Sequence, residues 1–172
     1  MAPLIVLVAV TLLARLAGFL GVRLLGTWAA ATRVGLAVMF CFTAAAHFNS
    51  MRGDLVRMVP PWVPAPEAVI TFTGICEVLG AIGLLVPQTR RLAAFALILF
   101  LLAVLPANIH AARTDVTIGG SQATPLVPRI ALQALFMGLV WWSGIRDPVR
   151  QLVVDAERAG TRSQAGPKPD QG

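Results

Sequence analysis

The chain has 172 residues, 57% of them apolar and only 13% charged, with a formal net charge of +6. An average soluble domain is roughly 45–50% apolar and 25% charged, so this composition excludes an ordinary water-soluble domain and points to the bilayer. The basic residues lie singly or in pairs between apolar runs, without a continuous stripe, which argues against nucleic acid and for a topology signal.

Five apolar segments follow one another, at about 4–22, 33–48, 68–86, 92–110 and 126–145. Each approaches the ~20 residues a spanning helix needs, and none shows sustained period-2 alternation, so the fold class is an all-α transmembrane helical bundle. The first segment carries Arg15 and has no Lys or Arg ahead of it; Ala29 and Ala31 supply a signal-peptidase-like site, but a spanning or tilted helix fits better than a cleaved leader. Between the second and third segments, Pro60, Pro61, Pro64 and Pro66 forbid a regular helix, and the Met51 to Val59 part reads as a short amphipathic turn on the membrane with Trp62 at headgroup level. The Pro87 to Arg91 connection is so short that segments three and four must be antiparallel neighbours. Residues 112–125 read as a flexible loop. The bundle is expected over 1–146, with its core at 33–145, and 147–172 as a polar, disordered tail.

With five spans, Arg52, Arg57 and Arg113 fall on one side. Arg23, Arg33, Arg90, Arg91, Arg146, Arg150, Arg158, Arg162 and Lys168 fall on the other. The positive-inside rule makes the second side cytoplasmic, with the N-terminus outside and the C-terminus inside a multi-pass cell membrane protein.

Glu77 is the one ionisable side chain of the third segment and sits near its middle. A carboxyl at that depth costs several kcal/mol unless neutral or paired, so it needs a named partner. At 100° per residue, Thr73, Glu77, Gly80 and Leu84 share a stripe flanked by Cys76 and Gly83, a small-residue face that turns Glu77 into the bundle. Arg15, if its segment spans, and Arg129, entering from the outer end of the fifth segment, are the two candidate charge partners. The residues leave open whether Glu77 handles protons, binds a ligand or only locks helix packing. His47 and Asn49 close the second segment, and Asn108 and His110 close the fourth, at the same outer level. The histidines read as interfacial caps or as members of a polar pocket with Glu77. Asn108 follows Pro106 and reads as satisfying the carbonyl that proline frees. Gln133 lies one turn from Arg129 and extends a polar track inward. Neither Cys41 nor Cys76 has CxxC spacing, and no third ligand accompanies the histidines, so no metal site is expected. The four tryptophans read as interfacial anchors.

Taken together, His47-Phe48, the Met58 to Pro64 run with its Pro60, Pro61 and Trp62, the Thr73, Gly74, Glu77, Gly80, Ala81, Gly83, Leu84, Leu85, Pro87 pattern, Arg90-Arg91, Pro106 to Ile109 and the Arg129 to Trp142 segment resemble the DoxX-like family of small bacterial membrane proteins. The resemblance covers roughly Val34 to Trp142. It implies a four-helix core, here with one added N-terminal helix. It further implies a membrane anchor or quinone-proximal subunit of a redox assembly, with an oxidoreductase partner subunit and quinone as the only cofactor to expect. In that reading Glu77, His47, Asn108, His110, Arg129 and Gln133 line a pocket open to the outer face. The chain has no Cys pair or cofactor motif of its own, so an autonomous enzyme is not expected. Two other readings stand beside it: a small-solute carrier, weakened by the lack of an internal repeat, and a purely structural scaffold.

Overall fold

The computed structural model describes residues 2–114, 117–118, 120–122 and 125–146. Among them are six α-helices: α1 (Ala2–Phe19), α2 (Trp28–Ala45), α3 (Arg52–Met58), α4 (Pro66–Leu85), α5 (Arg90–Arg113) and α6 (Leu126–Val140), the last continued by a π-helical turn at Trp141–Ile145. Five helices, α6 being counted with its π turn, are long and apolar enough to cross a membrane. At 1.5 Å per residue even the 18-residue α1 and α2 approach the ~30 Å hydrocarbon thickness. The fold is an all-α bundle of a multi-pass membrane protein. The expected tail at 147–172 lies outside the described residues.

Helix ends follow local chemistry. The second helix starts at Trp28, earlier than its apolar run, because the Thr27 hydroxyl accepts the Ala30 N–H at 3.1 Å and caps it. Ala29 and Ala31, the residues of the signal-peptidase-like pattern, are buried in its first turns. The proline-rich stretch ends at Ala65 in the left-handed region (φ 50°), and Pro66 then opens α4 at the position where its missing N–H costs nothing. The fourth spanning helix runs through Pro106 to Arg113, three residues beyond its expected end. In the expected loop after it, Thr117–Ile118 and Ser121–Gln122 form a two-residue antiparallel pairing.

The core is a ring. Helix α2 packs on α4, α4 on α5, α5 on α6, and α6 with its π turn returns to α2, while α1 docks on α2 from outside. Ten residues of α2 are buried against two of α1, which makes α2 the centre and α1 an accessory helix. Lipid gives no hydrophobic reward for helix association, so close approach at small residues must supply dispersion instead. Accordingly Gly80 receives the Leu97 side chain, Gly144 faces Ala94 and Leu84, and Gly35 lets the Leu7 carbonyl and Thr11 hydroxyl of α1 come in. The exposed apolar side chains, among them Ile5, Leu12, Leu13, Leu92 and Leu99, form the lipid-facing surface. The α1–α2 and α4–α5 turns and the end of α6 share one membrane face, called here the turn face. Helix α3, the proline-rich stretch and the α5–α6 connection occupy the opposite, loop face.

Candidate functional site

Helix register brings polar groups from all four core helices to one depth. Gly80 meets Leu97, so Glu77, nearly one turn away, lies level with Leu101 across the antiparallel α4–α5 pair. The Arg33 guanidinium reaches the Ser143 carbonyl at 2.7 Å, so ten residues further along α2 and back along α6, Thr43 lies level with Gln133. Thr43, Glu77, the Leu101 carbonyl and Gln133 thus form a polar layer inside an apolar bundle.

On its α2–α4 side, Glu77 is 8% exposed. The Thr43 hydroxyl, which donates to the Phe40 carbonyl at 3.0 Å, lies beside its carboxyl, and His47 Nδ1 stands 3.8 Å from its Oε2. The same Nδ1 lies 3.2 Å from the Thr43 carbonyl. A carbonyl can only accept, so the geometry assigns the proton to Nδ1 and leaves Nε2 as an acceptor. Burial pushes the His47 imidazole below its ordinary value, and nearby Arg52 pushes the same way, opposed by hydrogen bonds to the Thr43 and Ala44 backbone. Glu77 Oε2 is buried and makes no hydrogen bond. Gly74 makes room for this cluster: a Cβ there would lie 2.7 Å from His47 Cβ and 2.8 Å from the Phe48 ring.

On the α5–α6 side, Arg129 Nη1 donates to Asn108 Oδ1 at 3.1 Å, and Asn108 Nδ2 donates to Gln133 Oε1 at 3.3 Å. Gln133 Nε2 donates in turn to the Leu101 carbonyl. Asn108 therefore bonds across to α6 and does not serve its own backbone. Pro106, lacking an N–H, leaves the Leu102 carbonyl without its helical donor, and the cross-helix bond from Gln133 falls on the carbonyl next to it.

Two expected members lie apart. Arg15 was a candidate partner of Glu77, but its guanidinium stacks 4.1 Å from the Phe19 ring centroid and 5.4 Å from that of Trp28, at the turn face. The cause is register: Gly35 receives Leu7 and Thr11, which sets Arg15 beside the start of α2, about 20 Å in depth from Thr43. The His110 ring is half-buried and joins neither cluster by a hydrogen bond or ion pair; its carbonyl accepts from Thr114. Asn49 is exposed and its Oδ1 accepts the Met51 N–H at 2.8 Å. Arg52, read from sequence only as a charge, ties the corner above the site: it donates to the His47 carbonyl at 3.0 Å and to the Glu67 carbonyl and Thr71 hydroxyl at 2.9 Å each. Beside it an open groove of 590 Å³ is lined by Arg52, Ala65, Pro66, Glu67, Ala68 and Thr71, the last about 9 Å along α4 from Glu77.

Residues absent from the sequence reading of the site are Thr43 and Arg33. Arg33, Leu36, Phe40, Thr43 and His47 recur at helical spacing, and that pattern could have flagged both. Among the described residues no group of three His, Cys, Asp or Glu side chains is placed to hold a metal ion.

No curated protein and no solved structure matches this chain. Residues 36–144, which hold all four core helices but for the start of α2 and the last residue of the π turn, match the model of a domain of unknown function, DUF8561. By that match over well more than half its length, the chain belongs to the DUF8561 family.

Proposed function

We propose that this chain is a DoxX-like membrane subunit of a redox assembly, in which the polar layer around Glu77 binds the headgroup of a membrane quinone. One observation carries the reading: Glu77 Oε2 is buried and accepts no hydrogen bond, whereas the neighbouring Gln133 network is closed. A carboxyl that only locked helices together would be expected to have both oxygens satisfied. An orphaned acceptor fits a quinol hydroxyl, and an open groove lies beside Arg52 at the loop face. Quinone, when bound, supplies the two-electron chemistry. The chain's own residues orient the headgroup, Glu77 Oε2 accepting the quinol O–H and His47 fixed beside it by its Nδ1–H bond to the Thr43 carbonyl. Electron transfer then belongs to an oxidoreductase partner. By the positive-inside rule the loop face is the outer face of the cell membrane and the turn face is cytoplasmic.

The closed Asn108–Gln133–Leu101 network favours a second reading, a scaffold whose polar groups only specify helix pairing. Titrating decylubiquinone into the purified protein separates the two. A hydrogen bond to a charged group contributes about 1.5–3 kcal/mol, so Glu77→Gln should weaken binding by roughly tenfold to a hundredfold in a folded protein. Equal decylubiquinone affinity in parent and variant, or no binding by either, would sink the quinone reading.

A further inference from the structure

The geometry of Arg15 points to a site for an anionic phospholipid headgroup on the α1–α2 surface at the turn face. Arg15 lies one turn before the end of α1, where a long side chain reaches the headgroup level. Its guanidinium carbon lies 4.1 Å from the Phe19 ring centroid and 5.4 Å from that of Trp28, rings that are 71% and 52% exposed and therefore face lipid. Nε is buried and makes no hydrogen bond, while the two terminal nitrogens are neither buried nor hydrogen-bonded and are the donors left for an anion.

No protein anion answers this charge among the described residues. Their carboxylates are Asp54, Glu67 and Glu77, of which the first two sit on the loop face and the third at mid-bundle. A cation at a membrane boundary without a carboxylate is complementary to a lipid phosphate, which an arginine can grip with two parallel N–H bonds. Arg23, exposed in the 3₁₀ turn Arg23–Leu25 that follows α1, adds a second positive charge at the same face and selects a net-anionic headgroup over a zwitterionic one. The occupant is thus a phosphatidylglycerol-type lipid, its phosphate on Arg15 and its acyl chains along Phe19 and Trp28.

Trp28 is a built-in reporter. The full chain carrying Trp62→Phe, Trp141→Phe and Trp142→Phe is reconstituted into mixed vesicles, with bromine on the acyl chains of either phosphatidylglycerol or phosphatidylcholine. Trp28 should be quenched preferentially by the brominated phosphatidylglycerol, corresponding to about fivefold local enrichment, the size one basic residue supplies at an anionic surface. Arg15→Gln should abolish most of the preference, and Arg15→Lys should retain part of it. Equal quenching by the two lipids, or an unchanged preference in Arg15→Gln, overturns the proposal. If the triple tryptophan variant does not fold, native mass spectrometry of the tryptophan-intact chain gives the same decision: Arg15→Gln should lose retained phosphatidylglycerol relative to the parent, and equal retention refutes the site.

Discussion

Replacing Gln133 by leucine sets two effects against each other. Leucine is far more apolar, and on a lipid-facing position it would stabilise a membrane helix. Gln133 is only 5% exposed, however, so leucine would gain nothing from lipid and would break two interhelical bonds, to Leu101 and Asn108. Such bonds average about 0.6 kcal/mol and reach about 1.7. The Leu101 carbonyl keeps its helical donor at residue 105 and Asn108 Oδ1 keeps its bond from Arg129, while Asn108 Nδ2 loses its acceptor. The expected loss is therefore about 1–2 kcal/mol. Detergent-denaturant titration of the purified protein measures it, and a double-mutant cycle with Asn108→Ala should return a coupling of about 0.5–1 kcal/mol. A variant as stable as the parent, or strictly additive single effects, would refute the idea that this polar layer holds α5 to α6.

Gly144→Val places a Cβ 2.6 Å from Ala94 Cβ and 3.2 Å from Leu84 Cδ1, and should cost about 1–3 kcal/mol by overpacking, whereas Gly138→Ala, with open space around it, should be neutral or better; the same titration compares them. In a background lacking Cys41 and Cys76, Arg57→Cys should react with a membrane-impermeant maleimide in intact cells and Arg91→Cys only after the cells are permeabilised; labelling of Arg91→Cys in intact cells, or of Arg57→Cys only after permeabilisation, would overturn the proposed orientation. Burial holds His47 below its ordinary 6.5 in the folded state, so the stability it contributes is fully present above that value and is lost as pH falls through the folded pKa. Unfolding measured across this range should show an acid limb that His47→Gln flattens, with Arg52 and Glu77 as the charges that face it.

The helices were legible because membrane spans announce themselves by length and composition, and the inward face of Glu77 because glycines surround it at helical spacing. Depth was not legible. The separation of Arg15 from Glu77 depends on how α1 slides against α2, and a single close contact at Gly35 fixes it. Asn108 illustrates the same limit: its spacing from Pro106 pointed to local backbone, but which neighbour it meets depends on the helix packed opposite. Arg33 read as a topology charge because its acceptor, the Ser143 carbonyl, is 110 residues away.

That separation bears on how the protein is made. At roughly 5–20 residues per second, Arg33 enters the membrane about 5–20 s before residue 143 leaves the ribosome. Through that interval the buried seat that Arg33 occupies in the finished bundle, 8% exposed, does not yet exist, and the side chain must rest in the translocon or reach back to the headgroups. Arrival of the last core helix then draws the arginine inward as it closes the ring. Ribosome-bound chains stopped before residue 143 should therefore expose a cysteine placed at position 33 to aqueous reagents, and chains extended past it should hide that cysteine.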